Sequence, residues 1–300
     1  LAKTNKMIKI YIAGNSGENS DSLVLDYIKQ TPNNKGKWGD ICYTLDYREA
    51  DFLIIHDNIS SKKILKFFPK NRIIYISREA LDSKSINKFP IDKCVHFSFW
   101  DKSGYLPVKW IYGHNKSKKT GYSGLNLTYD ELKALKPNKE RLISSFVSEK
   151  KYTDGHKIRL NFLEHFSKGY NLIDNYGTNS NSNTTLSNNE KKDTLLDYKY
   201  SLGFDNQDSI NDFFGTQFTD AMLCWTVPIF WCGTDLLRYF PGNSFIQFNA
   251  RNVTEIKRIS SIISEKDYLL RIDDISKARD LILDKYNFWP TVENIILNIK

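Results

Sequence analysis

YKYSLGFDNQDSINDFFGTQFTDAMLCWTVPIFWCGTDLLRYFPGNSFIQF, running from Tyr198 to Phe248, is the stretch from which the fold is read. Tyr198, Tyr200, Leu202 and Phe204 alternate as in a strand, and polar Asp205-Asn206-Gln207 ends the run. From about Phe214 to Cys224, Phe218, Ala221, Met222 and Trp225 recur at helical spacing. Val227-Pro228-Ile229-Phe230-Trp231 is apolar throughout, the pattern of a buried strand, and Gly233 stops it. A short helix and another strand follow. This order puts a polar loop between the carboxyl end of one strand and the amino end of a helix. In parallel α/β sheets that junction binds anions, phosphates above all. The stretch predicts a ligand that carries phosphate.

The pattern extends to both sides. Ile8 to Ile12 reads as a strand that runs into AGNSGENSDS. Gly14 and Gly17 there match neither GxGxxG nor GxxxxGK, so an ordinary strand-to-helix turn is expected. A helix from Ser22 to Gln30, a polar turn TPNNKGK, a central strand Ala50–Ile55, a helix from about Ser61 to Phe68 and a strand Arg72–Ile76 complete a doubly wound run. Val95 to Phe99 is another strand, residues 113–128 are a basic Gly/Ser-rich loop, and Pro137 ends a short helix at Asp130-Glu131-Leu132. The pattern then restarts, with a strand Arg141–Val147, a helix from about Lys157 to Phe166 and a strand Tyr170–Asp174. Residues 178–193 are an Asn/Ser-rich low-complexity loop. Beyond the opening stretch, helices are expected over Glu255–Ser264 and Glu265–Tyr286. Phe288-Trp289-Pro290 should then break the chain before a last helix, about 291–298. The fold class predicted is α/β, with two Rossmann-like domains facing across a cleft, 1–138 and 139–300, and the last helix packing back across the seam.

With 300 residues, 40% hydrophobic and 26% charged, the chain is long enough for two packed domains. The net charge of +8 is scattered, with no stripe or motif of a nucleic-acid binder, and reads as a solvated surface with a mild pull on anionic substrates. Cys42, Cys94, Cys224 and Cys232 form no CxxC pair and no Cys/His cluster, so no structural metal site is expected. No apolar run reaches the ~18 residues of a membrane span. No signal-peptide pattern is seen either, and a cytoplasmic location is expected, with LAKTNK before Met7 read as an added leader.

Candidate site residues gather at the carboxyl ends of the expected strands. They are Ser148 to His156 after one strand, Tyr176-Gly177-Thr178 after the next, and Asp205-Asn206-Gln207 with Thr216 and Gln217 after the third. Arg159, in the first turn of the helix expected from Lys157, could make a bidentate contact to a phosphate or be a solvated helix arginine. Glu79 follows a first-half strand, where its carboxylate either faces the ligand crevice, pairs with Arg78 or caps a short helix. Together these residues describe a nucleotide or nucleotide-sugar pocket.

FVSEKKYTDGHKIRLNFLEHF, LIDNYG, YKYSLGFDN and FFGTQFTDAMLCWTVPIFWCGTDLLRYFP, with ADFLIIHDN and IIYISREA in the first half, resemble glycosyltransferase family 10, the α1,3/1,4-fucosyltransferases. The resemblance spans most of the chain and implies a GT-B fold, with the first domain on the acceptor side and the second holding the donor, GDP-fucose. It implies an inverting transfer of fucose to a hydroxyl of a glycan acceptor, without a metal or other cofactor. Glu79 falls at the general base, Arg159 at the arginine of an RxxF pattern on the pyrophosphate, Asn206 at a donor-contacting strand end and Phe213 at the aromatic before the helix. Ser148, Lys157, Tyr176, Gly177, Thr216 and Gln217 complete the implied donor site. One departure stands out: a Thr-Glu-Lys triplet at the helix start is Gly215-Thr216-Gln217 here. A changed donor, compensation by Lys150, Lys151 or Lys157, and an inactive nucleotide- or carbohydrate-binding relative are the alternatives this leaves. If the helix start faces a pyrophosphate, Gln217→Lys should tighten GDP binding.

Overall fold

The computed structural model describes residues 6–14, 20–56, 63–76, 94, 96–98, 125–147, 151, 153–169, 173–176, 193–205 and 214–299. They divide into two compact units, Leu1–His114, Leu127–Lys133 and Leu283–Lys300 in one, Asn115–Asn126 and Ala134–Ile282 in the other. Each is a Rossmann-like unit built on one sheet, parallel apart from one hairpin in the first and wholly parallel in the second.

In the first unit the strands are β1 (Ile8–Gly14), β2 (Lys37–Trp38), β3 (Ile41–Tyr43), β4 (Phe52–His56), β5 (Ile73–Ile76) and β6 (His96–Ser98). They lie in the order β2-β3-β1-β4-β5-β6, with only β2–β3 antiparallel. The pleat sends successive side chains to opposite faces. Ile10 and Ile12 of β1, Phe52 and Ile54 of β4 and Ile74 and Ile76 of β5 therefore share one face with α1 (Ser20–Lys29). That face is closed by α8 (Phe288–Ile299), which brings Phe288, Trp289, Val292, Ile295 and Ile296 from the far end of the chain. The Trp289 indole N–H donates to the Tyr27 carbonyl at 2.6 Å, and the Tyr27 and Phe288 rings stack at 3.9 Å. Leu53, Ile55, Ile73 and Tyr75 form the core of the opposite face.

Second-unit strands are β7 (Arg141–Ser145), β8 (Ile173–Asn175), β9 (Tyr198–Phe204), β10 (Val227–Trp231) and β11 (Ile246–Gln247), all parallel, in the order β11-β10-β9-β7-β8. Tyr200, Leu202 and Phe204 of β9 and Val227, Ile229 and Trp231 of β10 face a core shared with α3 (Asp154–Gly169), α6 (Glu255–Ile262) and α7 (Glu265–Leu281). On the other face Phe218 of α5 (Thr216–Leu223) meets Phe214, Phe230, Phe240 and Phe245. Burying one such ring stabilises by roughly 1.5–3 kcal/mol. The remaining helices are α2 (Tyr129–Ala134) and α4 (Asp193–Leu196). Among the described residues no helix is long and apolar enough to cross a membrane.

Several local expectations change. Phe288-Trp289-Pro290 opens the last helix instead of breaking the chain before it. Pro290 lies in the first turn, where a missing N–H costs nothing, and the Asn287 side chain caps the start by accepting from the Trp289 N–H at 2.8 Å. The polar turn TPNNKGK leads into an unforeseen hairpin, β2–β3, joined by Gly39-Asp40 with Gly39 at φ +46°. Where a helix was expected up to Phe68, the described residues hold one 3₁₀ turn, Ile64–Lys66, with Pro69 close behind. α3 begins at Asp154, three residues early, because Thr153 and His156 cap each other: the His156 N–H donates to Thr153 Oγ1, and the Thr153 N–H to His156 Nδ1.

Candidate functional site

A doubly wound sheet opens a crevice where the chain reverses its direction of winding. In the second unit that point lies between β7 and β9. From β7 the chain passes through α3 to β8 on one side, then returns to place β9 and β10 on the other. The carboxyl ends of β7 and β9 are tied across this point. Ser145 Oγ donates to the Leu202 carbonyl at 3.1 Å. The Gln217 amide spans both ends: Nε2 donates to the Phe146 carbonyl at 2.9 Å, and Oε1 accepts from the Phe204 N–H at 3.3 Å. Gln217 therefore spends both halves of its amide on the scaffold.

Asp205 follows β9 directly and is buried. Its Oδ1 accepts from the Gly215 N–H at 3.0 Å, at the N-cap of α5. Its Oδ2 is buried with no hydrogen-bond partner. Burial pushes the Asp205 carboxyl well above the usual carboxylate range, opposed by the Gly215 N–H. The contact demands glycine at 215, since a Cβ there would lie 2.6 Å from Oδ1. Burial, with Asp205 as a smaller cause, also pushes the Cys232 thiol after β10 up to about 12.

On α3, Arg159 is in the second turn and only 5% exposed. That excludes the solvated helix arginine. Burial lowers its pKa to about 10, which leaves the guanidinium charged at neutral pH. Lys157 lies on the outer face, paired with Asp154 at 3.4 Å. Thr216 opens α5, half-buried. Tyr176 turns away from the crevice: its hydroxyl meets the Tyr198 hydroxyl and Arg141 Nη1, from the first residues of β9 and β7. Tyr198 in turn donates to Asp174 at 2.8 Å, so this network belongs to the opposite edge of the sheet. Glu79, Ser148, Gly177, Asn206 and Phe213 lie outside the described residues.

The structure thus brings Arg159, Thr216 and Gln217 onto the two helices and strand ends around the switch point, while the Tyr176 hydroxyl is committed elsewhere. The sequence placed Asp205 at this strand end, and the structure adds that its carboxyl is buried against the start of α5.

Residues 136–269 match the family model "Glycosyltransferase family 10 (fucosyltransferase) C-term". The matched residues all lie within the second unit. An α1,3-fucosyltransferase crystal structure is similar to the whole chain at 17% identity, covering 96% of this chain and 93% of that one, with TM-score 0.52. A structure of α1,3-fucosyltransferase with GDP-fucose matches at 17% identity over 96% and 94%, TM-score 0.49. A T4 phage BGT mutant in complex with UDP-glucose matches at 14% over 97% and 100%, also at 0.49. No curated protein matches the chain. By its match to the family 10 model and its two-unit GT-B fold the chain is a glycosyltransferase.

Proposed function

We propose that the chain transfers fucose from GDP-fucose to a hydroxyl of a glycan acceptor, with inversion at the sugar carbon. The match to the family 10 model and the GT-B fold support the reaction class. The observation that carries the donor site is Arg159, a permanent cation kept buried on α3 within the matched residues. The planar fork of a guanidinium suits a diphosphate. In this reading Arg159 and the leading N–H groups of the helices take up the charge of the departing GDP. Glu79 removes the acceptor proton. The displacement needs no metal.

A calorimetric titration with GDP tests the donor site. Arg159→Lys keeps the charge and loses the fork, and should weaken GDP by about tenfold or more, the worth of one charge-assisted hydrogen bond. Equal affinity in the two proteins would sink the assignment. Fucose release from GDP-fucose should stop in Glu79→Gln while GDP binding persists.

The committed amide of Gln217 favours a second reading, an inactive nucleotide- or carbohydrate-binding relative. It predicts GDP binding with no fucose release from the wild-type chain. Release from another nucleotide sugar would instead keep the enzyme and change the donor.

A further inference from the structure

α3 starts with a capping box in which a histidine stands where glutamate or glutamine is usual. The His156 N–H donates to Thr153 Oγ1 at 3.2 Å, and His156 Nδ1 accepts from the Thr153 N–H at 3.2 Å. Thr153 Oγ1 also lies 2.5 Å from the same ring nitrogen. Only an unprotonated Nδ1 can accept an N–H, so the box closes on the neutral ring, with its proton on Nε2. A glutamate in this place keeps its acceptor throughout the neutral range. An imidazole, which titrates near 6.5 when unperturbed, does not. His156 is buried and stands three residues before buried Arg159, so the two side chains leave the same face of the helix.

We propose that Thr153 and His156 are positioning residues for Arg159, and that a proton on Nδ1 opens their box and weakens binding of the donor's diphosphate. The inference rests on the reading of Arg159 as the group that meets that diphosphate. Three effects act together when the ring takes a proton. The Thr153 N–H loses its acceptor, a cation appears at the positive end of a helix, and that cation lies next to a buried guanidinium. The first turn then frays, and Arg159 in the second turn loses its footing. The other charged groups nearby on α3, Asp154 and Lys157, pair with each other at 3.4 Å on the exposed side. Of the strands and helix packed against α3, β7 carries Arg141 at its far end, bound to Asp174 at 2.8 Å. β9 runs into buried Asp205, and α6 carries exposed Lys257 and the Glu255–Arg258 pair at 2.6 Å.

The test is calorimetric titration with GDP, from pH 5.5 to 8.5, of the wild-type chain, His156→Asn and His156→Leu. Asparagine Oδ1 takes the place of Nδ1 and accepts without titrating, whereas leucine has no acceptor. A lost cap shifts the balance between formed and frayed turn by roughly 2- to 30-fold. Wild type should therefore match His156→Asn at pH 8 and bind about threefold or more weakly than it at pH 5.5. The titration of GDP itself is common to all three proteins and cancels in this comparison. His156→Leu should bind about threefold or more weakly than wild type at pH 8, with the gap closing at pH 5.5. Amide hydrogen exchange over residues 153–160 at pH 5.5 should be faster in wild type than in His156→Asn. Superimposed pH profiles of wild type and His156→Asn overturn the positioning role, and so does equal affinity of wild type and His156→Leu at pH 8. If His156→Leu does not fold, the asparagine comparison decides alone. Equal exchange in wild type and His156→Asn overturns the opening of the box. GDP binding with superimposed profiles leaves the donor reading standing and removes the box. A wild-type chain that binds no GDP at any pH overturns both.

Discussion

Replacing Gln217 measures how far the scaffold depends on the tie across the switch point. In Gln217→Ala the Phe146 carbonyl and the Phe204 N–H both lose their contact with the amide, at 2.9 and 3.3 Å. Each group left unsatisfied in a buried setting costs about 1–3 kcal/mol. Both contacts are part-buried here, so water recovers some of this and the pair should cost roughly 2–4 kcal/mol. For a unit of this size, 1 kcal/mol moves the melting point by about 2–4 °C. A fall of roughly 4–16 °C is therefore expected by thermal unfolding with a fluorescence or circular-dichroism probe. Gln217→Lys can still donate to Phe146 but cannot accept from Phe204, so it should fall by about half as much. It should not tighten GDP, because its ammonium would be drawn to the strand ends. The sequence alone pointed the other way on that substitution. A melting point within a degree of wild type in Gln217→Ala, or tighter GDP binding in Gln217→Lys, would refute the reasoning.

Gly215→Ala places a methyl 2.6 Å from Asp205 Oδ1, so the helix start must shift. It should cost about 1–3 kcal/mol in urea unfolding, and a midpoint unchanged from wild type would count against the close contact. Lys139 donates to the Leu195 carbonyl at 2.7 Å, the Cys224 carbonyl at 2.6 Å and Thr226 Oγ1 at 2.8 Å, and burial lowers its pKa to about 7. An unfolded lysine titrates near 10.4, so between about 7 and 10 the unfolded chain binds a proton that the folded chain does not. Stability from this group therefore rises with pH across that window and is level below it. Lys139→Met should remove that part of the slope in unfolding curves taken from pH 6 to 10, and an unchanged slope would count against the burial effect. Tyr200→Phe removes an O–H that donates to Asp267 Oδ2 at 2.7 Å and reaches the Ser264 carbonyl at 3.0 Å. About 1–2 kcal/mol of stability should go with it, with GDP affinity unchanged.

The parallel sheets were legible because β4, β5, β9 and β10 are buried on both faces, and a short run of apolar residues bounded by polar ones fits a central strand best. β2 and β3 were missed because two- and three-residue strands show no period, and only the turn between them leaves a mark. The start of α3 was misplaced because a threonine–histidine cap resembles loop sequence until the two side chains are seen to meet. The limits at the site are of the same kind. Arg159 was singled out for a phosphate, but its burial depends on tertiary packing that no local pattern encodes. Gln217 was read by its charge, whereas its role follows from where β7 and β9 end. Tyr176 was placed by its strand, but its ring runs back along the sheet to Tyr198.

The helix that closes the first unit's core is the last element of the chain, about 190 residues after β6. At synthesis rates of roughly 5–20 residues per second, β1, β4 and β5 exist for about 10–40 s before Trp289 and its neighbours leave the ribosome. Through that interval one face of the nascent sheet lacks this cover, and before it ends the second unit has every strand it needs. The later unit in sequence is thus free to fold first. A chain stopped before Phe288 would leave the earlier unit with a bare apolar face, a ready target for chaperones or aggregation.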